Sequence, residues 1–442
     1  MCAAGQAWVR RTAVLGQAEA ASTGCDTSTG GPLRLDSGGT VSWESWVPES
    51  ALLCAWAACG MDRYRRPKRP GEDHRMYFEQ FDRTRLHFKP LRMREDKIFI
   101  ERERVLPREG PSPLPQDTQC ILDETVRWLT RARDLGRSRM LVFGAHVIKN
   151  GLAPVVISLM ERGWITHVAT NGAGVIHDWE FAYQGHSSED VRKNVARGEF
   201  GIWEETGFYL NLATLVGAYE GRGYGESVAA LIEHDGLNIP AQKALGEAID
   251  SRPGGDCEQA ASAADLLGAV RAFDLRPGWL TVLHPFKKYS LNAAAFRLGV
   301  PFTCHPMIGH DIIYTHPMNS CAAIGRAAQR DFLAFAHAVS NLDEGVYISI
   351  GSAVMSPMIF EKSFSMAQNL AIQRNERIDK HFIVVVDIAP ANWDWACGEP
   401  PGDSPDFYVR YNKTFSRMGG TMRYVCADNC AFLPALASSL GQ

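Results

Sequence analysis

The stretch Met140-Leu-Val-Phe-Gly-Ala-His-Val-Ile-Lys-Asn-Gly151 joins a short apolar run to a turn of small residues, and a helical pattern follows over residues 154–162. The same order returns further on, where the run Ile165-Thr-His-Val-Ala169 leads into Thr170-Asn-Gly-Ala-Gly174. A β-rich run that passes through a glycine turn into a helix is typical of a parallel sheet with crossover helices. These two units therefore predict an α/β fold.

Further apolar runs and periodic segments extend this pattern along the chain. Strands are predicted at Met140–Phe143, Ile165–Ala169, Leu280–Leu283, Pro301–Cys304, Val346–Ile350, Phe382–Val386 and Arg423–Cys426. Helices are predicted at Pro154–Arg162, Ser187–Arg197, Ile202–Tyr219, Leu291–Leu298, Arg326–Leu342 and Ser356–Ala371. The alternation predicts a Rossmann-like, doubly wound, mostly parallel sheet with helices on both faces over residues 120–442. The Gly-rich, weakly periodic residues 221–262 are predicted to form an insertion outside the central layers.

Residues 1–75 differ from the rest of the chain, because they are rich in Gly, Ser and Ala and show no sustained period. This composition does not readily form a packed core, and it predicts a poorly ordered leader. The leader ends in a short, Pro-broken cluster of Arg and Lys, which leaves open a functional basic tail or a translation start at Met76. Residues 76–119 are predicted to form an N-terminal arm.

The composition excludes several classes of partner. Of the 442 residues, 22% are charged and 45% are hydrophobic, which is the balance of an ordinary globular protein. Lys plus Arg total 46 against 50 Asp plus Glu, so the net charge of −4 gives no positive field for a polyanion. The most apolar early run, Ala51–Met61, is about half the length that spans a bilayer. Neither a nucleic-acid partner nor a membrane partner is predicted.

The 11 cysteines indicate a reducing compartment and do not indicate a metal site. They are scattered, and no pair has the Cys-x-x-Cys spacing of zinc sites and redox dithiols. Cys426 and Cys430 are predicted to be two buried thiols, and the cluster of His305, His310 and His316 lacks the ligand spacing of a helix. The chain is therefore predicted to be cytoplasmic and to bind no metal.

Several of the predicted strands end in turns of small residues. They are the turns at 144–151 and 170–174, Gly351-Ser-Ala353 and Ala427-Asp-Asn429. In open parallel sheets, ligands bind beyond the carboxyl ends of the strands, where small residues let backbone amides approach a phosphate. The turns therefore predict a cradle for a dinucleotide, although glycine turns also simply close tight connections between a strand and a helix.

Two further segments carry polar chemistry. Asp311 and His316 flank an apolar bend directly after a predicted strand. Residues 394–413 combine carboxylates and aromatic rings with the single lysine Lys413, a composition that suits an organic cation. A lysine beside such a site becomes a nucleophile if desolvation or a neighbouring cation lowers its pKa. The alternative for Lys413 is a solvated surface lysine.

The order of five segments resembles the deoxyhypusine synthase family. They are the turn at 144–151, Thr170-Asn-Gly-Ala-Gly-Val175 with Asp178, Gly309-His-Asp-Ile-Ile-Tyr-Thr-His316, the Pro-Asp-x-x-Val-x-aromatic-x-Lys loop that ends at Lys413, and Tyr424-Val-Cys-Ala-Asp-Asn429. Together they cover residues 120–440. The resemblance implies an NAD-dependent transferase of Rossmann-like fold, usually a homotetramer with active sites between subunits.

The resemblance also implies a reaction on polyamines. Enzymes of this family oxidise spermidine with NAD, release 1,3-diaminopropane and hold the aminobutyl group as an imine on a lysine. They then pass the group to an acceptor amine, which is a protein lysine in one branch and a free polyamine in another. The implied partners are therefore a polyamine or other small amine and, as one option, a protein lysine acceptor.

The family's site residues carry over to matching positions. Lys413 matches the imine-forming lysine, and His316 matches a histidine that contacts substrate and moves protons. Tyr411 takes the place of an aromatic residue near the amine, and Asp394 and Asp406 are the remaining substrate-binding carboxylates of the loop. The implied NAD contacts are Gly144, Ala145, His146, Val147, Ile148, Asn171, Gly172, Ala173, Asp311, Ala389, Asp428 and Asn429.

The chain also departs from the family pattern. Two glutamates of the family are replaced by Ile176 and His177, another is replaced by Phe407, and an acidic loop is replaced by residues 395–402. Fewer carboxylates hold a trivalent polyamine less well. Two alternatives therefore stand beside the transferase: an NAD-binding oxidoreductase or regulatory protein of the same fold, and a structural oligomer without a ligand. His177 could accept protons in place of a glutamate or face solvent, and His146 and Lys149 could contact a phosphate or a carboxylate or remain solvated.

Overall fold

The computed structural model describes residues 78–107, 113–250 and 257–441. The predicted leader at 1–75 and the candidate start Met76 lie outside the described residues. The described part of the predicted arm contains the strand β1 (Asp96–Phe99), the short helix α1 (Ile100–Glu103) and the beginning of the helix α2 (Gln116–Asp134).

Six parallel strands form the central sheet, and they lie in the order β10-β9-β8-β2-β3-β7. Their bounds are β2 Arg139–Phe143, β3 His167–Thr170, β7 Phe302–Cys304, β8 Val346–Ile350, β9 Phe382–Asp387 and β10 Thr421–Cys426. The strand order reverses beside β2, which is the first strand of the sheet along the chain. The predicted Rossmann-like, doubly wound α/β fold is confirmed.

Alternate side chains of β2 enter two separate cores. Leu141 and Phe143 pack on the face covered by α2, α4 (Ala153–Glu161) and α15 (Asn429–Ser439). Met140 and Val142 pack on the opposite face, which is covered by α12 (Cys321–Ser340) and α13 (Met355–Gln373). Because both faces of the sheet are buried, the strands are continuous apolar runs instead of alternating ones.

The remaining helices and strands surround this sheet. They are α3 His146–Lys149, α5 Gly172–Gln184, β4 His186–Glu189, α6 Val191–Ala196, α7 Glu204–Tyr219, α8 Tyr224–Glu233, β5 Gly236–Ile239, α9 Gln242–Asp250, α10 Cys257–Ala272, β6 Gly278–Thr281, α11 Leu291–Leu298 and α14 Arg410–Ser416. No helix among the described residues is long and apolar enough to cross a membrane.

Two predicted elements are wrong. The run Leu280–Leu283 does not join the parallel sheet, because β6 pairs antiparallel with β5 in a separate two-stranded sheet. The helix predicted at Ser187–Arg197 begins only at Val191, and Asp190 caps it by accepting a hydrogen bond from the Lys193 amide. The residues before it form β4, which pairs antiparallel with β1.

The prediction of an insertion at 221–262 is also corrected. The segment stays out of the central sheet, but α8 lies in the core with Tyr224 and Val228 fully buried. One of its glycines serves close packing, because a Cβ at Gly225 would lie 2.1 Å from the carbonyl oxygen of Phe302, the first residue of β7. Glycine therefore marks a contact between α8 and the sheet.

Candidate functional site

The turn after β2 contacts the turn after β8 directly. The Gly144 amide donates to the Ile350 carbonyl at 3.1 Å, and a Cβ at Gly144 would lie only 2.2 Å from the Gly351 oxygen. Only glycine fits this contact. Ala145 is the N-cap residue of α3, and His146 is exposed. The side chains of the adjacent predicted contacts, Val147 and Ile148, are buried in the core.

The turn after β3 meets the segment that follows β7. Asn171 caps α5 by accepting a hydrogen bond from the Gly174 amide at 2.9 Å. A Cβ at Gly172 would lie 2.1 Å from Oδ2 of Asp311, so the carboxylate rests against the start of the helix beside Ala173. Oδ2 is buried without a hydrogen-bond partner among the described residues, and burial raises the pKa of Asp311 to about 6. An unpartnered buried oxygen at a helix start is a place for a ligand.

The turns after β9 and β10 complete the carboxyl edge of the sheet. Asp428 caps α15 through the Cys430 amide at 2.7 Å, and Asn429 accepts a hydrogen bond from Asn150 at 2.8 Å. This second bond ties the turn after β10 to the residues that follow α3. The Tyr424 hydroxyl donates to the Ala389 carbonyl at 2.5 Å.

Tyr411 reaches the same edge. Its hydroxyl lies 3.4 Å from that of Tyr424, which links α14 to β10. The predicted NAD contacts lie on the five turns or segments that follow β2, β3, β7, β9 and β10. Among them, the side chains of Val147 and Ile148 face inward.

Lys413 lies on α14 with 15% of its side chain exposed. Its Nζ is 3.2 Å from Oε1 of Glu399 and 3.1 Å from the centre of the Phe407 ring. Arg417 also binds Glu399, at 2.8 Å, and hydrogen bonds from Arg417 and Lys413 hold the pKa of the Glu399 carboxyl at about 2. A nucleophilic amine at Lys413 therefore requires this ion pair with Glu399 to open.

The two aspartates of this loop stabilise local turns. Asp394 accepts a hydrogen bond from the Ala396 amide at 3.0 Å and a second from the Cys397 thiol at 3.4 Å. Asp406 accepts one from the Asn392 amide at 3.4 Å. These bonds engage the carboxylates that the sequence assigns to substrate binding.

His316, predicted to contact substrate, lies in the interior of the fold. Its side chain is fully buried, and its ring centre lies 4.6 Å from Phe88 and 6.1 Å from Phe208. Nδ1 accepts a hydrogen bond from the Met318 amide, and Nε2 lies 3.6 Å from Glu204. His316 is therefore enclosed by other residues of the chain in this conformation.

The structure does not bring Lys413 and His316 together. The segment of His316 follows β7 at one end of the sheet, and α14 packs against β10 at the other end. Five strand spacings separate these ends, which amounts to about 24 Å.

Other polar residues noted in the sequence have structural roles. Asp178 is buried and caps α11 by accepting from Ser290 Oγ and from the Leu291 amide. Cys426 and Cys430 are exposed, which corrects the prediction of buried thiols. No group of three or more His, Cys, Asp or Glu in the described ranges could hold a metal ion.

Sequence reasoning missed a buried network of charged side chains that joins Arg94 to Asp96 and to Glu180 on α5. Arg94 donates to both oxygens of Glu180, at 2.7 and 2.6 Å, and to Asp96 at 2.6 Å. Arg94 lies in the predicted arm, far from Glu180 along the chain. Neither periodicity nor a motif could signal a pair 86 residues apart.

Comparisons with known proteins give similarity of fold. No family model and no curated protein matches the sequence. Among solved structures, AgrE with ornithine and NAD+ is 14% identical at a TM-score of 0.37, and the match covers 74% of this chain and 34% of that one. An LOR/SDH protein from Methanococcus maripaludis S2 is 14% identical at a TM-score of 0.34, with coverages of 76% and 74%. A candidate deoxyhypusine synthase from Entamoeba histolytica is 11% identical at a TM-score of 0.31, with coverages of 73% and 88%. The chain spans about a third of the length of AgrE and of the cyanobacterial arginine dihydrolase ArgZ. These similarities assign no family.

Proposed function

We propose that the chain is an NAD-dependent enzyme that binds the dinucleotide along the carboxyl edge of its central sheet. The observation that carries this proposal is the close backbone contact between Gly144 and Gly351, which brings two turns of small residues together at this edge. The unpartnered Asp311 oxygen beside Gly172 adds a buried acceptor at the same edge. The residues that would hold NAD are those of the five turns. NAD, when bound, accepts a hydride from the substrate carbon.

The finer proposal is transfer of an aminobutyl group through Lys413, as the resemblance implies. The lysine is mostly shielded, its Nζ lies over the Phe407 face, and Tyr411 lies nearby on the same helix. A substrate cation that pairs with Glu399 would compete with Lys413 for this carboxylate. Release of Glu399 would then free Nζ of Lys413 from its ion pair, beside the Phe407 ring, for reaction with the substrate.

A second candidate is NAD-dependent oxidation without transfer. One observation favours it. At the two positions of α5 where a polyamine site would need carboxylates, the chain has the buried Ile176 and His177, and the basic residues Lys149 and Arg94 act on His177. An oxidoreductase needs only the cofactor groove and a proton acceptor, and it makes no demand on Lys413.

Product analysis separates the two candidates. Purified protein is incubated with NAD and spermidine, with and without putrescine, and assayed for 1,3-diaminopropane and homospermidine. Aminobutyl transfer predicts that Lys413→Ala and Lys413→Arg retain NAD binding and lose all product, because neither side chain forms an imine. Lys362→Ala, at an exposed lysine of α13, is the matched control and should leave the products unchanged. Product formation by Lys413→Ala would refute transfer through this lysine.

A further inference from the structure

His177 is held by a hydrogen-bonded chain whose directions are fixed. Its Nδ1 lies 2.7 Å from Oγ of Ser187, and that hydroxyl donates to Oε2 of Glu180 at 2.5 Å. Glu180 is buried, and although burial by itself would raise its pKa, Arg94 and the Ser187 hydroxyl bring the pKa below the ordinary value. The carboxylate is therefore ionised and can only accept.

The chain of bonds determines the state of the imidazole. The single proton of Ser187 goes to Glu180, so its oxygen must accept from His177, and Nδ1 must carry a hydrogen. Nε2 is then the nitrogen with the lone pair in a neutral ring. No described group bonds to Nε2, and the residue is partly exposed. His177 thus presents a free acceptor at the edge of the fold.

Basic side chains of a neighbouring helix act on this imidazole. The helix α3 packs against α5 and carries His146 and Lys149 one turn apart. Burial is the largest of the effects that lower the pKa of His177 to about 4; Lys149, Arg94 and His146 act in the same direction, and Glu180 opposes them. Lys149 has no carboxylate within ion-pair distance among the described residues, and burial with the nearby Lys97 lowers its pKa. Asp428 is the carboxylate that acts on His146.

We propose that Lys149, His146 and His177 form a subsite for an anionic group that carries a proton, such as a phosphate monoester. Lys149 supplies the positive charge, and His177 Nε2 accepts the ligand's hydrogen bond. Ser187 and Glu180 are positioning residues that hold the tautomer. The anion is either the pyrophosphate of a dinucleotide or a group of the substrate itself. The subsite does not depend on whether the chain oxidises or transfers an amine.

The test uses the full chain with isotope-labelled histidine, and His177→Gln assigns the resonance of His177 by its loss. The proposal predicts a protonated Nδ1 and an unprotonated Nε2 at pH 7 in the nitrogen shifts. Inorganic phosphate should then shift the His177 signal saturably and raise its pKa by about one unit, because a neighbouring anion favours imidazolium. The opposite tautomer, or no saturable shift, would overturn the proposal.

Matched lysine variants complete the test. Lys149→Met should weaken phosphate binding at least about tenfold, whereas Lys243→Met, at an exposed lysine of α9, should leave it unchanged. Equal binding by Lys149→Met would contradict the subsite even if that variant folds normally by circular dichroism. NAD titrations then separate the two sources. Competition with phosphate assigns the site to the pyrophosphate, and simultaneous binding assigns it to a substrate anion.

Discussion

Asp311 shows at the scale of a single residue how a binding edge lowers stability. Its Oδ2 is buried against Gly172 without a hydrogen-bond partner among the described residues. Burial raises its pKa from 3.8 to about 6, so the folded state favours the protonated carboxyl. At pH values below the pKa of the unfolded state, the raised pKa of Asp311 does not change the free energy of unfolding. It becomes progressively destabilising as the pH rises through the interval between 3.8 and about 6.

Asp311→Asn is therefore expected to stabilise the protein at neutral pH. The gain in the free energy of unfolding should be about 2–3 kcal/mol at pH 7.5 and clearly smaller near pH 4.5, because each pKa unit corresponds to about 1.4 kcal/mol. Urea unfolding at the two pH values measures it. An equal effect at both, or a loss of stability at pH 7.5, would show that the carboxylate is satisfied in solution.

At the scale of elements, α11 depends on a cap from a distant helix. Asp178 on α5 accepts from Ser290 Oγ at 2.5 Å and from the amides of Leu291 and Asn292 at 2.8 and 3.2 Å. Asp178→Ala should lower the free energy of unfolding by about 2 kcal/mol, since it leaves buried amides unsatisfied. Asp178→Asn keeps one acceptor oxygen and should lose less. Denaturant midpoints of the two variants, if equal, would contradict this role.

Elements also show where the sequence suffices and where it does not. Val346–Ile350 and Leu291–Leu298 have the predicted bounds, because burial of both faces or of one stripe imposes a local pattern. The segment after Ser187 reads as a helix start, yet β4 forms because it pairs with β1 and because Ser187 bonds to Glu180. Both partners come from elsewhere in the chain, so a local reading cannot include them.

The candidate site also has features that the sequence predicts and features that it does not. Glycine turns at strand ends were predictable, because parallel strands place their carboxyl ends at one edge. The burial of His316 and the pairing of Lys413 with Glu399 depend on how distant segments pack. A motif gives the order of such residues along the chain and gives no information about which of them face solvent.

At the scale of the whole molecule, the separation of Lys413 from His316 has a consequence for transfer. His316 follows the edge strand β7, whereas Lys413 lies on α14, which contacts the opposite edge strand β10. If both serve one substrate, they must come from different copies of the chain. Mixing Lys413→Ala with His316→Ala after reversible dissociation should then restore about a quarter of the wild-type activity, since half of the pairs are mixed and each has one intact site. Unmixed variants are the control, and no recovery after confirmed exchange of subunits would show that Lys413 and His316 do not complete a shared site between copies.

The central claim is a dinucleotide groove at the carboxyl edge, and calorimetric titration of the full chain with NAD tests it most directly. Ala145→Asp places a negative charge in the turn after β2. Gln373→Asp places the same charge at the exposed end of α13, at the opposite edge. We expect saturable binding that Ala145→Asp weakens at least about tenfold and Gln373→Asp leaves unchanged. Absence of binding at millimolar NAD, or equal weakening by both variants, would contradict the account.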